Sequence, residues 1–566
     1  MKKIFFNISM VLAAVCAVSC SLDTESMTSI TTQNYYKTMN DAKSALVGCY
    51  AGYRLTSSYS TMSFYELSEL MGDDAFGGTG ATDGRGYQAI DRFDQNESPS
   101  DLSATETLWS SYYSGIFNCN SLLGQLDNIS WEESSDFNTS SPEETRAAVE
   151  GEARFLRALL YFELVRLYGN VPLLKEPTTE IVPQSAPEKV FELIFEDLQF
   201  AVANIKYKAD KAWYEANDGR ATKQAAEAIL ARAYLFYTGY YSNLECPISK
   251  DEVVAGLKDV VNCGYFGLVQ SDVHNGAARL WRSAVASDAG DGNGLDDSDW
   301  VGIACSKAEV NEFIFTQKFN YYGNEYNGQH FNNRWLVMRG IRGAMGGDPC
   351  IVPYGGGWGA CTANPDSYAI FASNDPRRDV AIQNWNTSRQ AAITKTMLKD
   401  WREFTYYSLV KYIPLSVNVG GISAYEVTNN SDYGSVNGFQ ESQYQDVIVM
   451  RYADVLLMLT ELTGDYSYAN QVCDRAGVAH ISTYEELLAE RHREFLGEGI
   501  RYWDLLRQGV EYAANAIAGS WTVLSGGVEE TLTISKENIV NKKGLCRIPD
   551  NQIDLSGKVY EQNPGW

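Results

Sequence analysis

Glu490, Glu494 and Glu498 recur every fourth residue near the C-terminal end of this 566-residue chain. On a helix that spacing puts all three on one face, and paired carboxylates are the groups that cleave glycosidic bonds. Arg491, Arg493, Arg501 and Arg507 are interleaved with them. Pairs at i,i+3 or i,i+4, such as Glu498 with Arg501, readily satisfy carboxylates of this kind. With 72 acidic residues in the chain, some pair falls at glycosidase spacing by chance, and nothing singles out a catalytic one. Gly-x-Ser-x-Gly, His-Glu-x-x-His and Walker loops do not occur. The glutamates are therefore expected to tie the fold together, and no enzyme activity is expected.

Metal and thiol chemistry find little support. His274, His330, His480 and His492 lack zinc-ligand spacing. The acidic loop Asp288–Asp299 has the composition of a calcium loop, but Leu295 falls where the third oxygen ligand belongs if Asp291 is the first. A solvated loop is expected there, and no cofactor. Of 11 cysteines, Cys16 and Cys20 lie near the N-terminus, and the other nine are scattered, cannot all pair and include no C-x-x-C. Cys350 and Cys361 flank a Gly/Pro-rich loop and could bridge.

The elements that must position these groups are mostly helices. Ser141-Pro142-Glu143-Glu144 supplies an N-cap, a proline at the first helical position and a capping-box glutamate. Val149, Ala153, Leu156, Leu160, Leu164 and Leu167 then form one apolar face that ends at Gly169-Asn170. A second strong helix follows Thr222, with alanines for close helix contact and Tyr234 and Tyr237 filling gaps. Weaker patterns cover 40–53, 106–126, 187–205 and 251–261. Helical periodicity returns over 452–463, 484–496 and 499–518. From about 264 to 444 the chain is rich in Gly, Asn, Asp and aromatics, as loops on a rigid scaffold are. Paired helices of this size predict a mainly α fold with tetratricopeptide-like hairpins and an irregular lobe between them.

Lys2 and Lys3 precede an apolar run, and Ala17-Val18-Ser19 places small residues before Cys20. This has the form of a lipoprotein signal in which Cys20 is lipidated; an ordinary secretory signal cleaved nearby is the alternative. Loss of residues 1–19 removes two lysines and no acids, taking the net charge from −26 to about −28. That charge argues against nucleic acid or an anionic surface as partner. The most apolar remaining run, 447–460, contains Arg451 and Asp454, so no span is expected there.

Several motifs carry a family resemblance. The run Gly151-Glu152-Ala153-Arg154-Phe155-Leu156-Arg157-Ala158-Leu159 to Gly169-Asn170-Val171-Pro172, and Arg451-Tyr452-Ala453-Asp454, resemble the SusD/RagB family of outer-membrane lipoproteins. Glu490-Arg491, Glu494-Phe495, Glu498-Gly499, Arg501, Asp504-Leu505 and Arg507 match that family's ER..EF..EG.R..DL.R signature at every fixed position. Trp109, Tyr113 and Asn120 fit its early W…Y…N helix, and Asn374-Asp375-Pro376-Arg377 its NDPR element. Arg547-Ile548-Pro549 and Gln562-Asn563-Pro564-Gly565-Trp566 are similar to its closing motifs, with Trp566 where Tyr is usual. Asp23 and Glu25 after Cys20 resemble the acidic segment that sends lipoproteins of the Bacteroides group to the cell surface.

The resemblance implies a signal peptide over 1–19, a lipid anchor and tether over 20–36 and one SusD-like domain over 37–566. Within that domain it places a helical scaffold at about 37–263 and 445–520, the irregular lobe at about 264–444 and a closing segment at 521–566. It also implies four helical hairpins and a role in capturing a glycan at the outer membrane for a TonB-dependent, SusC-like transporter. Peptide capture by the same fold and a surface glycosidase are the competing readings. Sugar rings stack their C–H faces on Trp and Tyr, while Asp, Asn and Arg take their hydroxyls. The candidate contacts are Asp73, Asp74, Arg85, Tyr87, Trp281, Trp300, Tyr321, Tyr322, Trp335 and Trp358, with Tyr354 beside them.

The anchor yields the first test. Cys20→Ala should move the chain from the membrane to the soluble fraction in cells lacking any transporter partner, because one N-terminal acyl cluster would be its sole hydrophobic attachment. Membrane retention of the variant in such cells would remove the lipid anchor from consideration.

Overall fold

The computed structural model describes residues 35–58, 62–97, 105–206, 219–270, 312–319, 333–342, 357–387, 395–413, 418–419, 422–423 and 446–566. Local chemistry starts the helices where the sequence says it should. Thr38, Ser141, Thr222, Ser249 and Thr483 each accept the backbone N–H of their helix's third residue. At Ser141 the expected box is displaced by one residue: Glu144 accepts from the N–H of Ser140 at 2.8 Å.

In chain order the first helices are α1 (Met39–Arg54), α2 (Phe64–Leu70), α3 (Gly86–Asp91), α4 (Glu106–Leu123), α5 (Pro142–Tyr168) and α6 (Pro187–Asn204). They are followed by α7 (Lys223–Tyr240), α8 (Lys250–Asn262) and α9 (Arg334–Arg339). The C-terminal part adds α10 (Tyr452–Thr463), α11 (Tyr466–Ala476), α12 (Tyr484–Phe495) and α13 (Arg501–Leu506). Helix α1 packs on α4, α5 on α6, α7 on α8 and α10 on α11, and each pair packs on the next. Among the described residues this makes four stacked helical hairpins, the mainly α, tetratricopeptide-like architecture that the sequence predicts.

Packing within the stack follows from small and apolar residues. A Cβ on Gly52 would lie 2.7 Å from the Cα of Gly115, so only glycine lets α1 and α4 cross this closely. Leu156, Leu160 and Leu164 of α5 are fully buried, each contributing about 1.5–3 kcal/mol of transfer free energy. Phe191 of α6 stacks against Phe236 and Tyr237 of α7 with centroids 6.4 and 4.8 Å away. Arg157 of α5 spans both oxygens of Asp197 on α6 at 2.8 Å and donates to Asn120 Oδ1 on α4, joining three helices by one buried cation.

The strands are short: β1 (Ala75–Phe76), β2 (Phe313–Gln317), β3 (Thr362–Ala363), β4 (Ile382–Asn384), β5 (Tyr407–Leu409) and β6 (Val447–Arg451). A hairpin, β7 (Gly519–Ser525) and β8 (Val528–Ile534), follows α13. Strands β1, β3, β5 and β4 form, in that order, an antiparallel sheet, while β2 pairs with β6 against α7. The sheet draws its first strand from the 72–97 segment, and the hairpin joins the same lobe by pairing Leu524 with Phe404. The small cores of this lobe accordingly mix Leu70, Ala75 and Leu524 with residues from 341–413.

Two elements differ from the periodicity. Helix α11 was not anticipated, because its buried face, Ala469, Val472, Cys473 and Ala476, is made of small residues with weak contrast. The helical pattern over 499–518 is two helices, divided at Gly509.

Candidate functional site

The three signature glutamates are sealed inside the protein. Glu490, Glu494 and Glu498 are between 0% and 4% exposed. Arg377 donates to Glu490 at 2.6 Å and to Glu494 at 3.0 Å. Arg451 binds Glu494 at 2.7 Å, both oxygens of Glu498 at 2.8 Å and Glu312 at 2.9 Å. Arg475 closes the set on Glu312 and Glu494, and Lys411 donates to Glu498 at 2.8 Å. Burial opposes ionisation of Glu494, yet the guanidiniums of Arg475, Arg451 and Arg377 outweigh it and hold the carboxyl far below its usual range. A permanently ionised, dry and fully paired carboxylate is neither an acid nor a base for a substrate.

Helical spacing accounts for only some of the partners: Arg493 pairs with Glu490 and Arg507 with Asp504, both at i,i+3, while the rest come from elsewhere in the chain. Gly497 and Gly499, at φ 78° and 69°, flank Glu498 and end the helix before Arg501, so the Glu498–Arg501 pair at i,i+3 does not form. Arg501 turns to Asp73 instead, contacting its two oxygens at 2.9 and 2.8 Å. Asp504 is held by Arg491 and Arg507. Arg491 also binds Asp454, whose carboxyl lies well below its ordinary range because Arg491 and Arg232 outweigh its burial.

These ties generate a stability prediction. Asp504→Ala leaves Arg491 and Arg507 short of a buried partner and should cost about 3–5 kcal/mol, with affinity of the folded fraction unchanged. Arg501→Ala, at a partly exposed pair, should cost less. A normal melting temperature with lost ligand binding would reassign these residues to the ligand site.

Of the sequence-predicted contacts, Asp74 and Trp335 are core residues. Asp74 is 1% exposed; His492 Nε2 lies 2.7 Å from its Oδ1, to which Ser367 Oγ also donates at 2.7 Å. Asp73, Asp74 and His492 offer ligand atoms within 4.8 Å of one another. Arg501 pairs with Asp73, and Ser367 and His492 with Asp74 Oδ1, while Asp74 Oδ2 is buried without a hydrogen-bond partner among the described residues. Trp335 is 2% exposed, between Tyr65 at 5.3 Å and Tyr412 at 5.0 Å, with the Arg339 guanidinium 4.6 Å from its ring centre. Neither presents a face to a ligand. Asp73 is half-buried in its pair with Arg501.

Tyr87 and Trp358, which lie far apart in sequence, are brought together. Arg334, the first residue of α9, donates to the Tyr87 hydroxyl at 3.3 Å and lies 5.2 Å from the ring centre of Trp358. Tyr87 and Trp358 are both half-buried. Arg85, next to Tyr87 in the same segment, pairs with Glu97 at 2.5 Å and is also half-buried. The Trp358 N–H donates to Val337 at 2.8 Å, which fixes the indole's backbone to α9. Two rings and a planar cation thus share one patch of the lobe, the chemistry that receives a sugar's C–H face and hydroxyls. Cys20, Trp281, Trp300, Tyr321, Tyr322 and Tyr354 lie outside the described residues.

Sequence reasoning missed Arg334 and Trp521. Trp521 of β7 is half-buried, lies 5.0 Å from Phe76 and donates from Nε1 to the exposed Asp366 at 2.8 Å. Its signal was available: a tryptophan on an alternating strand ahead of Gly526-Gly527. Arg334 had none, since its role depends on residues distant in the chain.

Beneath the patch Glu66 is fully buried, and among the described residues neither of its carboxyl oxygens has a hydrogen-bond partner. Burial pushes its carboxyl up to about 8, against the pull of Arg334 and Arg339. Burial likewise raises Glu227 to about 8, and Glu69, Asp91 and Glu163 to about 7. In the unfolded chain these groups ionise near 4, so from there to about pH 8 the unfolded state binds fewer protons than the folded one. Stability therefore falls as pH rises across that window. Glu494 and Asp454 act oppositely, contributing stability above the ordinary carboxyl range that is lost on acidification. Melting temperature should peak near pH 5 and decline toward pH 8, and Glu66→Gln should flatten the decline. A wild-type curve level across that range would contradict the assignment.

A stack of helical hairpins bearing a small lobe, its prominent carboxylates locked in ion pairs and its aromatics gathered beside a cation, defines a binding scaffold. Known proteins agree. The family model described as "Starch-binding associating with outer membrane" matches residues 24–235, and the one described as "SusD family" matches residues 310–566. The chain belongs to the SusD/RagB family, a family of binding proteins rather than enzymes. It is 26% identical over its whole length, and the whole length of the relative, to SusD-like protein P2 of Formosa agariphila. A solved "Laminarin binding SusD-like protein" superposes with a TM-score of 0.68 at 22% identity, covering 94% of this chain and all of that one. Surface glycan-binding protein A from Bacteroides thetaiotaomicron, in complex with laminarihexaose, gives 0.66 at 20% identity over 93% of this chain and 100% of the other. No helix among the described residues is long and apolar enough to cross a membrane.

Proposed function

We propose that this protein is a lipid-anchored, outward-facing binding protein of the outer membrane that captures a neutral oligosaccharide and passes it to a SusC-like, TonB-dependent transporter. The observation that carries this reading is the convergence of Tyr87, Arg334 and Trp358 on one patch of the lobe. Stacking and hydrogen bonding at contact range suit a ligand without charge. The net charge of −26 gives no long-range pull on an anionic polymer, and exposed charges are screened beyond about 8 Å at physiological salt. The relatives described as binding laminarin and laminarihexaose support a β-glucan as the first ligand to try. Trp281, Trp300, Tyr321 and Tyr322 are proposed as further contacts on the same lobe, with Arg85 beside Tyr87.

Calorimetry with laminarihexaose and other neutral oligosaccharides tests the reading. Trp358→Ala and Tyr87→Ala should each cost about 2 kcal/mol, roughly thirtyfold in affinity, with circular dichroism unchanged. Wild-type affinity should be nearly the same at low and high salt. A steep loss with salt would indicate a charged ligand instead, and binding of peptides with no sugar binding would transfer the role to peptide capture.

A further inference from the structure

A cavity of about 40 Å³ lies where α2, α5, α7, α10 and the α12–α13 region meet. Its wall includes Phe162, Glu163, Arg166, Arg232, Phe236 and Trp503. The Arg166 side chain is buried, and its guanidinium carbon lies 3.8 Å from the ring centre of Phe162, 4.6 Å from Phe64 and 4.8 Å from Trp503. Aromatic rings therefore take the faces of the guanidinium and leave its N–H edge.

That edge is under-used. Nε donates to the Phe162 carbonyl at 3.1 Å, but among the described residues neither Nη has a hydrogen-bond partner and no carboxylate lies within ion-pair distance. The other cations on the wall are matched: Arg232 by Asp454, Arg491 by Asp454 and Asp504, and Arg507 by Asp504 and Glu461. The nearest acidic group, Glu163, accepts instead from the hydroxyls of Tyr53 at 2.8 Å and Tyr112 at 3.0 Å. Burial raises Glu163 to about 7, so it is only partly charged at neutral pH. Arg166 is thus the one arginine on this wall with no hydrogen-bonded carboxylate, and it borders a space large enough for roughly three waters or one halide-sized ion.

We propose that this cavity binds a small monovalent inorganic anion, chloride in the physiological case, held in the plane of the Arg166 guanidinium by its Nη hydrogens. The site is independent of the glycan patch and would brace the junction between the central helix α5 and the C-terminal helices.

Bromide and chloride are the probes. Crystals of the mature chain grown with sodium bromide should show an anomalous peak in the cavity within hydrogen-bond reach of Arg166 Nη. Wild-type melting temperature should be about 2 °C higher in sodium chloride than in sodium gluconate at equal ionic strength, through binding linkage. Arg166→Met should abolish both the peak and the chloride-specific shift. Because that variant also loses its aromatic stacking and can fold poorly, the wild-type measurements decide. Equal melting in the two salts together with no bromide in the cavity would overturn the proposal and leave the space to water. Bromide bound only elsewhere on the surface would overturn it equally.

Discussion

The fold depends on one buried guanidinium, that of Arg451. It is 1% exposed and binds Glu312, Glu494 and Glu498, three groups from two distant segments of the chain. Arg377, Lys411 and Arg475 share those acids, so lobe and scaffold meet in a single charge lattice. Taking such ions out of water costs several kcal/mol each, and the cost is recovered only when every partner is present. A lattice of this kind adds less to net stability than an apolar core of equal volume would. What it adds is an all-or-none requirement that residues 312, 377, 411, 451, 475 and 490–498 arrive together.

The same lattice aims the candidate binding patch. Arg339, at the end of α9, donates from Nη1 to the carbonyls of Lys411 at 3.1 Å and Gly497 at 2.7 Å. Lys411 and the strand before it are held by Glu498 and by the carbonyl of Glu494. Helix α9 is only six residues long and has little intrinsic stability. Its C-terminal arginine is therefore what fixes the direction of its first residue, Arg334, toward Tyr87 and Trp358. A short helix clamped at one end and carrying a cation at the other can hold a binding residue firmly without belonging to the helical stack.

The sequence made the scaffold legible because its information is local. Capping residues, apolar periodicity and the alanines of α7 set most helix limits to within three residues, the 499–518 pattern, which splits at Gly509, being the exception. Its chemistry was legible only in part. Interleaved arginines correctly marked Glu490, Glu494 and Glu498 as structural, and Arg493 does pair with Glu490 at i,i+3, but the other partners, Arg377, Lys411, Arg451 and Arg475, are ones no spacing rule connects. Trp335 had a readable warning, since Leu336, Val337 and Met338 extend it into an apolar run bounded by arginines, the pattern of a buried short helix. Asp74 had none, because a carboxylate in a Gly-Asp-Asp turn is usually solvated, and its burial follows from His492 in the chain's last quarter. Arg334 was equally silent for the same reason.

Where the charges sit then constrains what the protein can recognise. Arginines 157, 166, 232, 339, 377, 451, 475, 491 and 507 are buried or nearly so, and most are spent on interior acids. The buried acids outnumber the buried cations, yet by far less than the chain's net charge of −26, so the exterior is acidic as well and an anionic ligand would approach against it. Recognition is left to groups that act only at contact, and among the described residues these collect where the lobe exposes tyrosine and tryptophan beside Arg334. Interior and surface thus divide the work: paired ions inside enforce one arrangement of lobe and helices, and that arrangement presents an aromatic patch suited to an uncharged ligand.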